Sequence, residues 1–394
     1  MRFGIAYGAD AVYMAGTRFG MRAAATNFDD NALREGIAYA HAHGVKCYIT
    51  VNIMPSNRDL PALPAYLELL QDAGADALII ADVGVLRMAR KYAPSVPVHI
   101  STQTSILNHE AANYWADEGA ERIVLARELS LEEIAEIRAK TPKELEIEAF
   151  VHGAMCISYS GRCLISQYMT GRDANHGACA QPCRWNYSLM EEKRPGQFFP
   201  VEEDGRGTYL YNSKDMCMIE HVPELIKAGI TSFKIEGRNK TAYYAACVTG
   251  AYRAAIDTYK KDPENFVLPQ FCRDEVNKVS HREYYTGFYF GNQENGQHYG
   301  DSQYIREYEV VGMPVECDDS GRAVFALKNR FFDGEELELI QPGQAPYVFR
   351  AENVTDDEGT ERELFNVPQM RVHFAFPFKV SEWAILRKVK ERPE

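Results

Sequence analysis

The chain has 394 residues, a formal net charge of −13 and 46% hydrophobic residues, enough for one large domain and a smaller one with its own core. The acidic balance argues against a general polyanion binder, and no apolar run reaches the roughly 18 residues that span a bilayer. No basic-plus-apolar leader precedes the first element, so the sequence reads as that of a soluble, cytoplasmic protein.

Residues 2–7 read as a helix. One pattern then repeats through the first 240 residues: an amphipathic helix, a glycine near its end, and a short apolar run. The glycines are Gly8, Gly44, Gly74, Gly119 and Gly229, and the runs end at Tyr13, Val51, Ile80, Leu125 and Ile235. Glycine takes the left-handed conformation that closes a helix, and the β-rich runs behind it are buried parallel strands. Two more strands, 97–101 and 145–151, lack the glycine. Such alternation makes βαβ units. Seven parallel strands behind an opening helix predict a (β/α)8-type barrel lacking its first strand, over residues 1–300 with the trailing helices. The missing strand leaves an unpaired edge in the wall.

In α/β barrels chemistry sits past the carboxyl ends of the strands. The polar residues there are Arg22, Asn27, Asn52, Asp82, Gln103, Arg127, Glu128, His152, Glu236 and Arg238. Arg127 and Arg238 carry permanent forked charges suited to a carboxylate or phosphate. His152 can shuttle a proton near neutral pH, or brace the cysteine four residues on. Glu148 should face the barrel interior, where it needs an Arg or Lys partner.

Four of the nine cysteines, Cys156, Cys163, Cys179 and Cys183, cluster in polar, Gly-containing sequence, in and beside an insertion at about 157–210. Cys47, Cys217, Cys247, Cys272 and Cys317 are scattered and read as small hydrophobes. Two disulfides would need an oxidising compartment. Zinc favours tight pairs, which Cys179 and Cys183 form and Cys156 and Cys163 do not. An iron–sulfur cluster tolerates looser spacing. Spacing favours a metal and leaves iron–sulfur and zinc open.

Beyond a helical segment at 241–261, Tyr284, Tyr285, Phe288, Tyr289 and Phe290 crowd beside His281 and Arg282. Packing against the barrel explains them better than stacking on unpaired bases. From 307 to 389 the period changes to two, with turns at Gly321, Gly334 and Gly343, so residues 306–394 are expected to form a small C-terminal β-barrel; it resembles those of translation factors, and that resemblance implies a tRNA docking module. Its end is locally basic (Lys379, Arg387, Lys388, Lys390, Arg392), as a solvated tail also would be.

The stretch Glu148-Ala-Phe-Val-His-Gly-Ala-Met-Cys156 with Ser160-Gly-Arg-Cys163-Leu-Ile-Ser166 resembles the signature of the peptidase U32 family. Asn212-Ser-Lys-Asp215, Phe233-Lys-Ile-Glu-Gly-Arg238 and Ser280-His-Arg-Glu-Tyr-Tyr-Thr-Gly-Phe288 resemble its branch that hydroxylates the wobble uridine of tRNA. The likeness covers nearly the whole chain. It implies dioxygen-independent hydroxylation at C5 of that uridine, prephenate as co-substrate, and a [4Fe–4S] cluster on Cys156, Cys163, Cys179 and Cys183. Arg127, His152, Glu236 and Arg238 are then the catalytic candidates, the two arginines gripping the anionic ligand. Members normally begin with a further strand and a Gly-containing turn, so Met1 reads as a late start or a truncation. The alternatives are a peptidase, with Cys156 and His152 posed as a thiol pair, and a metal-bearing scaffold for a partner subunit. Against a peptidase, neither a Gly-x-Ser-x-Gly elbow nor a His-Glu-x-x-His helix occurs.

Overall fold

The computed structural model describes residues 1–21, 27–156, 158–159, 162–185, 188–190, 198–200, 214–291 and 304–390. Arg22, Arg392 and much of the expected insertion, Gly161, Pro195 and Gly205 included, lie outside these. The chain forms two compact units. One comprises Asp10–Asn239 and Arg282–Tyr304, the other Met1–Ala9, Lys240–His281 and Ile305–Glu394. The helices at 242–261 and 270–277 thus group with the C-terminal strands, whereas the sequence reading assigned them to the α/β domain. No helix among the described residues is long and apolar enough to cross a membrane.

The first unit is built on a parallel sheet flanked by helices. Its strands are β1 (Ala11–Ala15), β2 (Lys46–Val51), β3 (Ala77–Ile80), β4 (Val98–Ile100), β5 (Arg122–Val124) and β6 (Glu146–Ala154), each paired with the next in parallel. A short antiparallel pair, β7 (Ser188–Met190) with β8 (Phe198–Pro200), precedes β9 (Asp215–Cys217) and β10 (Ser232–Ile235), and β10 returns parallel to β6. The seven parallel strands expected from the sequence are therefore β1 to β6 and β10. All residues of β3, β4 and β5 are buried; β3 reads as an unbroken apolar run, while β4 and β5 each bury one polar side chain, His99 and Arg122.

The linking helices turn apolar faces inward, through Leu33 and Ile37 on one and Leu67 and Leu70 on another. All five pattern glycines have positive φ, between 69° and 98°. At Gly229 a side chain would be excluded twice over, because a Cβ there would also meet the Arg138 side chain at 2.4 Å.

Strand β6 outruns its neighbour β5. Backbone groups of the overhang need other partners. They find them in β10 on one side and, over His152 to Ala154, in antiparallel β9 on the other. Strand β11 (Tyr284–Tyr285) extends β9.

The second unit carries a seven-stranded sheet whose described strand pairings are all antiparallel, running from Tyr308 to Val389. The turn glycines 321, 334 and 343 all have positive φ. Phe325, Phe331, Phe365 and Phe374 fill its core.

Two residues of the basic end, Arg387 and Lys388, are not solvated. Ile385–Val389 is a strand, and Arg387 and Lys388 are 0% and 2% exposed. The Arg387 guanidinium donates to Glu275 Oε2 at 2.7 Å and to Glu338 Oε2 at 2.9 Å, and Lys388 Nζ to Glu335 at 2.8 Å. A strand of this unit packs both faces, so neither charge is available to a polyanion. Arg387→Met would strand the Glu275 carboxylate in the core. It should cost about 3–5 kcal/mol of stability in urea unfolding. A loss below about 1 kcal/mol would show the pair to be dispensable.

Candidate functional site

The carboxyl ends of the parallel strands surround a cavity of about 160 Å3. Tyr13 and Met21 reach it from β1 and its loop, Thr50 and Asn52 from β2, and Ser101 and Gln103 from β4. Arg127 follows β5, Phe150 lies in β6, and Lys234, Glu236 and Arg238 come from β10 and beyond. The rim is the start of the insertion: Cys156, Cys163, Cys179 and Cys183 all line the same cavity. Met54 N–H donates to the Asn175 carbonyl at 3.1 Å, which ties the rim to the loop after β2.

Beneath the cavity lies a buried charge cluster. Glu148 Oε1 accepts from Lys234 Nζ at 2.6 Å, and Oε2 from Arg122 at 2.9 Å and Ser232 Oγ at 2.7 Å. The interior partners expected for Glu148 are thus an Arg and a Lys, on the strands to either side. Burial alone would raise its pKa, but Lys234 and Arg122 outweigh that and hold it at about 2. His99 packs edge-on to Tyr48 at 4.6 Å. Burial, and then the Arg122 charge, push its pKa down to about 3.

The upper wall is different, because donors there are unspent. Among the described residues, Arg127 Nε, Arg238 Nε, Gln103 Nε2 and Thr50 Oγ1 are buried without a hydrogen-bond partner. Arg127 lies 3.9 Å over the Phe150 ring, and Arg238 lies 5.3 Å over Tyr13 while donating through Nη1 to the Met21 carbonyl at 3.0 Å. Two guanidinium groups steadied on aromatic faces, each with an idle donor, suit an anionic ligand.

The cavity gathers most of the residues singled out in sequence, but not all. Asn52, Gln103, Arg127, Glu236, Arg238 and the four cysteines line it. Asp82 instead caps the helix Val83–Tyr92, accepting from Val85 N–H at 3.0 Å. Asn27 and Glu128 are not in the lining. Nor is His152, which is 1% exposed and pairs its Nε2 with the Tyr284 hydroxyl at 3.3 Å. In the aromatic segment Tyr289 is buried and donates to the Phe150 carbonyl, and His281 and Arg282 are buried too, whereas Phe290 is exposed. The sequence reading passed over Lys234. A lysine inside a buried parallel strand needs an acidic partner, and that was the available signal.

The donor chemistry of the rim fits a soft metal centre. Its four cysteines are in no disulfide. Gln181, at φ 58°, turns its N–H onto Cys179 Sγ at 3.3 Å, a bond that stabilises a thiolate. No three His, Cys, Asp or Glu side chains among the described residues already stand together as a metal site.

The charge cluster makes stability pH-dependent. His99 stays neutral in the fold, while an unfolded histidine takes a proton below about pH 6.5. Its contribution is present above that value and is lost as pH falls toward about 3. Wild type should lose stability over this window by up to about 1.4 kcal/mol per pH unit from this group. His99→Phe should flatten the fall in melting temperature between about pH 6.5 and 4.5. Parallel curves for the two proteins would overturn the assignment.

A model described as peptidase family U32 matches residues 1–299, and one described as the peptidase family U32 C-terminal domain matches 306–387. The chain is 37% identical to tRNA hydroxylation protein P1 of Bacillus subtilis, over 99% of this chain and 92% of that protein. It is 36% identical to tRNA hydroxylation protein P of Escherichia coli, over 91% and 87%. It is also similar to the Escherichia coli 23S rRNA 5-hydroxycytidine C2501 synthase, at 39% over 80% of this chain and 46% of that protein.

Proposed function

This chain belongs to peptidase family U32, and we propose that it acts on RNA rather than on peptides, adding a hydroxyl to C5 of the wobble uridine of tRNA without dioxygen. The reading includes a (β/α)8-type arrangement of the α/β unit, with its chemistry at the strand ends. Cys156, Cys163, Cys179 and Cys183 hold a [4Fe–4S] cluster, which supplies electron transfer when bound. Prephenate, a dicarboxylate, meets the paired forks of Arg127 and Arg238. Glu236, between Lys234 and Arg238 on the same wall, orients the arginine segment, since its Oε1 accepts the Arg238 backbone N–H at 3.3 Å.

The observation that carries this reading is the meeting of four thiols and two arginines with idle donors around one cavity. The names of relatives that act on tRNA and rRNA support it. A thiol peptidase would need the His152 imidazole beside Cys156. Instead Cys156 lines the cavity, while His152 bonds Tyr284 outside its lining. His152 therefore serves as a brace for the end of β6 rather than as a base.

Nucleoside mass spectrometry of tRNA from cells lacking and re-expressing the protein tests the activity. Restoration of 5-hydroxyuridine derivatives is the expected result. Unchanged tRNA together with peptide cleavage by the pure protein would give the case to the peptidase. Cys179→Ala should abolish the brown absorbance of anaerobically prepared protein, and stoichiometric zinc without iron would refute the cluster. Arg238→Ala should cut hydroxylation at least about tenfold, the scale of one lost charged hydrogen bond, with tRNA affinity retained.

A further inference from the structure

The neutral side of the cavity carries a directed chain of hydrogen bonds. Met21 N–H donates to Asn52 Oδ1 at 3.2 Å. Asn52 Nδ2 donates to Ser101 Oγ at 3.4 Å, and the Ser101 hydroxyl donates to Gln103 Oε1 at 3.1 Å. A backbone N–H can only donate, so the first link sets the orientation of the Asn52 amide. That amide then gives its hydrogen to Ser101, which passes its own to Gln103. Gln103 is left with its oxygen engaged and its nitrogen idle.

That nitrogen is buried without a partner among the described residues, in a side chain 4% exposed that lines the cavity. Thr50 Oγ1, in a side chain 2% exposed, stands on the same wall without a partner as well. Buried donors are costly to leave unmade, so the pair calls for an acceptor from a ligand.

We propose that Gln103 reads a carbonyl oxygen on the ring of the target base, and so selects uridine over cytidine. This rests on the reading of the chain as a uridine hydroxylase. Uracil presents the acceptor O4 where cytosine presents an amino group. An amide nitrogen facing that amino group sets donor against donor, and the base is rejected. The Thr50 hydroxyl can donate or accept, so it holds either base and does not discriminate. O4 sits on the ring carbon next to C5, so the same contact places C5 for hydroxylation. A wobble base is in a single-stranded loop, which makes its entry into a pocket inexpensive.

The test uses cells lacking the protein that re-express wild type, Gln103→Glu or Ser101→Ala. Each strain carries a reporter tRNA with uridine or cytidine at the wobble position. Nucleoside mass spectrometry reads 5-hydroxyuridine against 5-hydroxycytidine, and blots give the amount of each variant. Wild type should favour uridine at least about tenfold, the usual discrimination of one good base contact. Gln103→Glu, which offers only acceptors, should lose uridine product and shift the ratio toward cytidine by about tenfold or more. Ser101→Ala frees the amide to flip and should narrow the ratio while Gln103 remains. An unchanged ratio in variants present at wild-type level overturns the inference and leaves the uridine hydroxylase standing. If Gln103→Glu does not accumulate, the Ser101→Ala ratio decides alone. Absence of any hydroxylated nucleoside with wild type overturns both readings.

Discussion

The Glu148 carboxylate is the constraint on which the α/β unit depends. It is 5% exposed and accepts from Arg122 on β5 and from Lys234 and Ser232 on β10, so one buried anion ties together three neighbouring strands. A buried charge is tolerated only when its partners are close and its lone pairs are filled, and here both conditions hold. The arrangement also decides what lies above it. Lys234 is committed to Glu148, which makes it a structural cation rather than a nucleophile. Among the described residues, Arg127 and Arg238 on that wall keep idle donors, which suits an anionic ligand.

Strand length is the second constraint. Because β6 extends past β5, its last residues bond to β9, and His152 is sealed between that layer and Tyr284. Cys156 follows only four residues later, yet it stands at the cavity rim. Sequence proximity would combine the two into a thiol–imidazole pair, but Cys156 lines the cavity while His152 bonds Tyr284 and is absent from that lining. The same overhang carries the chain to the place where the four cysteines gather.

Much of this was legible in the sequence because it depends on local rules. A glycine in the left-handed position followed by an apolar run marks a helix end and a buried strand, and that pattern located β1, β2, β3, β5 and β10. The strand-end rule found Asn52, Gln103, Arg127, Glu236 and Arg238. It failed at Asp82, where a helix N-cap uses the same residue type at the same place, and at His152, where the strand continued beyond its apolar run. Arg387 and Lys388 misled for another reason. Their acidic partners, Glu275, Glu338 and Glu335, lie 49 to 112 positions away along the chain, and no window of sequence shows such pairs.

If this acidic chain acts on RNA as proposed, it must bind it without bulk attraction. At a net charge of −13, with Arg387 and Lys388 spent on buried carboxylates, general counterion release contributes little. Around the cavity the contacts are local: two arginines on aromatic faces at one side, and an ordered line of neutral amides and hydroxyls at the other. Charges attract any phosphate or carboxylate, whereas a donor fixed in direction accepts one face of one ring. The division of labour follows from that difference. On the proposed reading, the cationic side takes the small anion and the neutral side takes the base, where two nearly identical rings have to be told apart.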